Sequence, residues 1–340
     1  MRRIRIAQIG TSQNSHGNSI FRSLKQQSDL FEVVGFSLPE NERAKFPGRM
    51  AEFEGCHEMH VEDILNDPTI EAVAIETEEA YLTKYAVLAA QSGKHIHMEK
   101  PGSISLCDFE RLIATVKTQK TVFHTGYMYR YNPVILDLLG QVRRGELGEI
   151  LSVEAQMNCC HPKALREWLG DFPGGMLFFL GCHLIDLVLQ IQGKPLAIYP
   201  LSCSSGVDGV SAQDCGMAVL EYPHGMSFVK TTAVEKGGFA RRQLVVTGTK
   251  KTVEIKPLEM YGDPELQFTT VTEYCSEAWG DQGRTYSSEQ FNRYDAMMAS
   301  FAAMVCGEKE NPYTYDYELE LFRTILQCCG GERDESNSCK

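Results

Sequence analysis

The chain has 340 residues, with 33 Lys+Arg against 45 Asp+Glu and a formal net charge of −12. That length exceeds one ordinary core and points to two domains. The acidic charge, spread along the chain, excludes nucleic acid or an anionic membrane as the main partner, since both demand basic patches.

In chain order, residues 4–9 (Ile-Arg-Ile-Ala-Gln-Ile) form a largely apolar run that stops at Gly10. Residues 18–28 carry Ile20, Phe21 and Leu24 at helical spacing. Residues 31–36 and 71–76 are the second and third strand-like runs. Residues 81–92 read as a helix closed by Gly93, because glycine adopts the left-handed conformation cheaply. A fourth strand at 95–98, a helix at 106–117 and a fifth strand at 122–124 follow. This alternation predicts a parallel sheet with helices on both faces. Ligands bind such sheets beyond the carboxyl ends of the strands, which directs attention to residues 10–17, Ser37, Thr77 and 99–101. Further on, β-branched runs at 200–204, 216–222, 226–234, 242–248 and 252–255 alternate with turn signals such as Pro223-His224-Gly225. Residues 246–251 read as a hairpin, 290–304 and 317–328 as late helices, and 330–340 as a flexible polar tail.

A dinucleotide-binding loop has the pattern G-x-G-x-x-G, in which glycines permit a tight turn and close approach to a pyrophosphate. The corresponding positions here are Gly10, Ser12 and Ser15. The backbone of Ser12, Gln13 and Asn14 could still meet an anion at a helix start; the alternative is an ordinary strand-to-helix turn. The second strand ends Gly35-Phe36-Ser37-Leu38-Pro39-Glu40, so Ser37 stands where an acid usually holds a ribose hydroxyl. With neither that acid nor a flanking arginine, NAD and NADP both remain open.

Twelve cysteines lie scattered along the chain. No apolar run approaches the length of a membrane span, and Met1-Arg2-Arg3 leads into no signal-like segment. Reduced thiols and a cytoplasmic location are therefore expected. Cys56-His57-Glu58-Met59-His60 and Cys159-Cys160-His161 contain metal-ligand types, but neither has a second ligand pair at finger-like spacing, so no metal is expected.

Four motifs occur in order along the chain: His97-Met98-Glu99-Lys100-Pro101; Gly126-Tyr127-Met128-Tyr129-Arg130-Tyr131-Asn132-Pro133; Gly145-Glu146-Leu147-Gly148-Glu149-Ile150; and Gly174-Gly175-Met176 leading to Gly181-Cys182-His183-Leu184-Ile185-Asp186. Together they resemble the signature of the Gfo/Idh/MocA family of nicotinamide-dependent oxidoreductases, over residues 4 to about 328. The resemblance implies an α/β fold: an N-terminal Rossmann domain with a parallel sheet, then a C-terminal α/β domain with a large open, mostly antiparallel sheet. The expected boundaries are 1–125 for the dinucleotide-binding domain and 126–329 for the substrate and oligomerisation domain, with the C-terminal helix packing back on the first.

The resemblance further implies NAD or NADP as cofactor, a sugar, sugar acid or cyclitol as substrate, and a homo-oligomer, dimer or tetramer. Lys100 and His183 become the catalytic candidates, since an alcohol yields a hydride only if its proton is also accepted, and histidine titrates near neutrality. Tyr129, Arg130 and Asp186 would meet substrate; Gly10, Ser12, Gln13, Asn14, Ser37, Thr77, Glu99 and Lys100 would meet the cofactor. Each has a plainer reading: Lys100 as a solvated strand-end lysine, His183 as a satisfied core histidine, Asp186 as a helix ion-pair partner. Phe179 stands where many members carry a carboxylate, and Thr77-Glu78-Glu79 replaces their usual sequence after the third strand. Two alternatives therefore stand beside dehydrogenation: a redox-silent ligand sensor, and a glycosidase-like enzyme working through transient oxidation.

Overall fold

The computed structural model describes residues 2–263 and 266–331, so most of the expected tail at 330–340 lies outside the described residues. The chain divides into two compact units: residues 1–128 with 294–322, and residues 129–293 with those from 323 onward.

The first unit is built on β1 (Ile4–Ile9), α1 (Gly17–Gln26), β2 (Phe31–Ser37), α2 (Glu42–Lys45), α3 (Val61–Asn66), β3 (Ala72–Ile75), α4 (Leu82–Gln91), β4 (His95–Met98), α5 (Leu106–Gln119) and β5 (Phe123–Thr125). Its five strands are parallel in the order β2-β1-β3-β4-β5. That order reverses at β1, so β2 and β3 flank the strand whose carboxyl end opens into the Gly10 loop. Strand interiors such as Ile4, Ile6, Val73, Ile75 and Ile96 are fully buried, as a sheet covered on both faces requires. On α1 the apolar stripe Ile20, Phe21 and Leu24 is buried. Phe21, Phe36 and Phe53 form one aromatic cluster, with the Phe21 and Phe53 rings 4.7 Å apart. Gly93 takes φ +72° after α4, in line with its expected capping place.

The second unit contains α6 (Pro133–Arg143), β6 (Ile150–Asn158), α7 (Lys163–Trp168), α8 (Cys182–Gln192), β7 (Ala197–Cys203), β8 (Cys215–Tyr222), β9 (Gly225–Thr232), β10 (Gln243–Gly248), β11 (Thr252–Ile255), β12 (Met260–Asp263), β13 (Leu266–Phe268), β14 (Thr270–Tyr274), β15 (Arg284–Ser287) and β16 (Phe291–Asn292). Eight strands form one sheet, β15-β14-β11-β10-β6-β9-β8-β7, in which only the β6–β9 pairing is parallel. Asn132 starts α6 by accepting hydrogen bonds from the Val134 and Ile135 amides, with Pro133 at the first helical position. Helices α9 (Asp295–Val305) and α10 (Tyr315–Cys328) close the chain.

Some expectations shift. The helix expected over 290–304 starts only at Asp295, because Phe291 and Asn292 pair with Gln267 and Leu266 in a small three-stranded sheet. The short elements α2 and α3, and the strands between 260 and 287, are too brief or too polar to show periodicity. Ten described cysteines are free, whereas Cys107 is disulfide-bonded, against the expectation of reduced thiols throughout. Among the described residues, no helix is long and apolar enough to cross a membrane, and no group of three or more His, Cys, Asp or Glu is arranged to hold a metal.

Candidate functional site

The loop from β1 to α1 has most of its backbone donors assigned. The Gly10 amide donates to the Ser37 carbonyl (2.8 Å), Thr11 to the Glu42 carboxyl (3.0 Å), and His16 to the Glu99 carboxylate (2.9 Å). Ser12 and Ser15 exchange amide-to-hydroxyl bonds of 3.1 Å, and the Gly17 amide also uses the Ser15 hydroxyl. The Gln13 and Asn14 amides have no partner among the described residues. Fully buried Gln8 ties the two ends together, donating to the Gly10 carbonyl (3.0 Å) and the Gly17 carbonyl (3.1 Å). Gly10 adopts φ +88° directly over Thr77, so a side chain there would collide with Thr77. The two missing fingerprint glycines are thus replaced by a reciprocal serine pair that holds the loop tight. The expectation that Ser12 also offers its amide needs correction: Ser15 takes it.

Glu99 and Lys100 follow β4, and both side chains are buried. The Lys100–Pro101 peptide is cis, as a sharp turn after this strand suggests. The Glu99 carboxylate accepts the His16 amide and ring Nδ1, both at 2.9 Å, and the Lys100 amide at 2.8 Å. Burial pushes this carboxyl up, but the His16 and Lys100 interactions outweigh it and hold it well below its ordinary range. Glu99, expected beside a cofactor, therefore serves as an internal anion at the α1 N-terminus. The fully buried Glu76 is driven far the other way, by burial first and the Glu99 charge second, so it keeps its proton. Burial also raises Glu42 to about 8 and Glu79 to about 7, the latter opposed by the Lys100 charge. His97 is lowered to about 4 by burial, stays neutral, and meets His124 ring to ring through Nδ1 atoms 2.8 Å apart.

In the second unit, a π-helical turn over Leu177–Gly181 leads into α8, which carries His183 and Asp186. Such turns are frequent at functional sites. His183 is buried, with the Tyr129 ring edge-on at 5.3 Å and 89°. Arg130 grips Asp186 with two bonds of 3.0 and 2.8 Å, and Gln190 adds a third at 2.9 Å. Both charged groups are about 1% exposed, so these expected substrate contacts are first of all each other's partners. The Tyr129 hydroxyl donates to Glu259, which also pairs with Arg242 and Arg293. Burial would raise Glu259, yet Arg293 and Arg242 hold it below its ordinary range. Phe179 packs with Cys159, Leu169, Met176 and Ala233, and meets Trp168 edge-on at 5.1 Å. It is a core residue, which explains why no carboxylate stands there.

Sequence reasoning missed Glu42, Glu76, Arg242, Glu259 and Arg293, and held His16 only as part of the 10–17 loop. None belongs to a spaced pattern; each gains meaning only through a distant strand. Lys100 belongs to the first unit and His183 to the second.

A parallel sheet with a tight Gly10 loop at a helix start, followed by a unit with a large open sheet, defines a dinucleotide-binding α/β class. The family model for an oxidoreductase family with an NAD-binding Rossmann fold matches residues 4–127, and the Gfo/Idh/MocA C-terminal domain model matches residues 137–254. The chain belongs to the Gfo/Idh/MocA oxidoreductase family. It is similar to an uncharacterized oxidoreductase of Escherichia coli (26% identical, 47% of this chain and 46% of that one). It also resembles the NADP-dependent scyllo-inositol 2-dehydrogenase of Bacillus subtilis (25%, 70% of this chain and 64% of that one). The matched stretch thus spans between about half and two thirds of these curated relatives. A 3-ketoreductase from Actinomadura kijaniata, solved with NADP, shares the fold with a TM-score of 0.78 at 17% identity, covering 97% of this chain and 98% of that one.

Proposed function

We propose that the protein is an NAD(P)-dependent dehydrogenase or reductase acting on a secondary hydroxyl of a sugar, sugar acid or cyclitol. The observation that carries this reading is the pair of amides, Gln13 and Asn14, that have no partner among the described residues, in the loop leading into a ten-residue helix, where Gly10 leaves no room for a side chain against Thr77. Backbone donors at a helix start suit a pyrophosphate. Gln13 and Asn14 hold it, while Gly10, Thr77 and the Ser12–Ser15 pair keep the backbone close. When bound, the nicotinamide supplies the hydride acceptor or donor.

The chain's own part is the proton. Lys100, buried at a strand end, accepts it from the substrate hydroxyl, and His183 is the second residue assigned to this task. Tyr129 orients the His183 ring and is itself fixed by Glu259; Arg130 and Asp186 hold the start of α8. The cyclitol dehydrogenase among the relatives supports a polyol substrate. The open sheet supports a homo-oligomer: Tyr199 and Leu201 on edge strand β7 are 51% and 59% exposed, and Met226 on β9 is 66% exposed.

The test is Gly10→Ala. A side chain at φ +88° costs about 1–2 kcal/mol and pushes the loop off Thr77. Titration with nicotinamide nucleotides should show binding to the wild type and at least about a tenfold loss in the variant. Wild-type protein that binds no such nucleotide at millimolar concentration would refute the reading.

A further inference from the structure

Neither the family nor the loop decides between NAD and NADP, and the decision falls at the end of β2. Ser37 lies there, its carbonyl bound to the Gly10 amide, and no described residue hydrogen-bonds its hydroxyl. A cavity of about 870 Å³ opens beside it, lined by Ser37, Leu38, Pro39, Leu65, Lys84 and Leu88 among others. The apolar members suit a purine, and the volume is ample for an adenosine phosphate.

An acid able to accept both ribose hydroxyls is the usual mark of NAD. The nearest carboxylate, Glu40, is already committed: it accepts from the Tyr85 hydroxyl at 2.7 Å and from the Lys84 ammonium at 2.5 Å. These two partners hold it below its ordinary range, ionised and turned toward α4. A second ammonium, that of Lys45, lies 5.6 Å from the centre of the Tyr81 ring, and Lys84 lies 5.8 Å from the same ring. Two cations and a hydroxyl thus gather at this corner, each lysine resting on an exposed glutamate pair of the kind that exchanges readily. The cavity's acids, Glu58, Glu62 and Asp63, belong to the 57–65 segment, and Glu58 is paired with Arg43.

We propose that this corner selects NADP: Ser37 and Lys84 receive the 2′-phosphate, Lys45 adds to the attraction, and Glu40 is the resting counter-ion that the phosphate displaces. The proposal rests on the dinucleotide reading above. A dianionic phosphate replaces a single carboxylate on Lys84, so the exchange gains charge attraction. A ribose without the phosphate finds the nearest acid, Glu40, already engaged by Lys84 and Tyr85.

The experiment is fluorescence titration of the full chain with NADPH and with NADH. The wild type should bind NADPH at least about tenfold more tightly. Lys84→Ala should weaken NADPH severalfold while leaving NADH unchanged, and Glu40→Gln should tighten NADPH by freeing Lys84. Ser37→Asp should shift preference toward NADH, and Lys84, being exposed, supplies the variant least able to disturb folding. Equal binding of both nucleotides, or equal loss of both in Lys84→Ala, would overturn the assignment. Binding of neither nucleotide to wild type would instead remove the dinucleotide reading, and this proposal with it.

Discussion

In the first unit Glu42, Glu76 and Glu79 are buried with few cations to meet them, and burial holds each carboxyl above its ordinary range. In the second unit Asp186 faces Arg130, Asp214 faces Arg166, and Glu259 faces both Arg242 and Arg293. The first unit therefore holds these three buried acids toward the neutral form, whose state follows pH, while Glu99 stays ionised against His16. The second keeps them as matched ions, whose geometry depends on both partners being present. A scaffold that must hold an imidazole in one pose gains from fixed ion pairs.

The largest expected effect comes from breaking a match. Glu259→Ala leaves two arginines uncompensated around the Tyr129 hydroxyl, and removing one partner of a buried pair costs about 3–5 kcal/mol. Glu76→Gln, in the first unit, swaps one neutral group for another and should cost less than about 1 kcal/mol. Urea melts of both variants check the contrast, and equal losses would erase it.

The pH response should divide the units in the same way. Glu42 rises from an ordinary 4.5 to about 8, and Glu79 to about 7. Between those limits the native state holds protons that the unfolded chain has released. Stability is therefore fully present below about pH 4.5 and is lost as pH rises toward 8, by on the order of a few kcal/mol. Amide exchange followed from pH 5 to 8 should show protection falling in the first unit's strands, with a shallower slope in Glu42→Gln. The second unit, whose Glu259 is held ionised, should change little over the same range. The stability cost of Gly10→Ala, about 1–2 kcal/mol, should fall between those of Glu259→Ala and Glu76→Gln, and its main consequence is lost nucleotide affinity.

Much of the first unit was legible in the sequence because its strands are short apolar runs punctuated by Gly10 and Gly93, and its helices show clear spacing. Lys100 and His183 are candidates that only the motifs put forward. The Gly10 loop was harder, because two serines do by mutual hydrogen bonding what two glycines usually do by backbone freedom, and no fingerprint encodes that. Phe179 invited a role in the chemistry that its packing against Trp168 and Met176 does not support. Glu259, Arg242 and Arg293 were illegible for a plain reason: an ion cluster drawn from a loop, a strand start and a strand end has no period. The late strands β12 to β16 escaped because half-exposed pairs such as Thr272 and Thr285 carry little apolar signal.

The claim that matters most is that Lys100 manages the proton while hydride passes to or from the nicotinamide. The direct measurement is turnover, followed by nicotinamide absorbance against a panel of sugars and cyclitols, in wild type and Lys100→Ala, with nucleotide affinity measured on the same samples. The expected result is a loss of about two orders of magnitude or more in rate, the usual worth of general acid–base help, with nucleotide affinity nearly unchanged. Near-wild-type turnover in Lys100→Ala, or a wild type that changes the redox state of its nucleotide with no member of the panel, would contradict it.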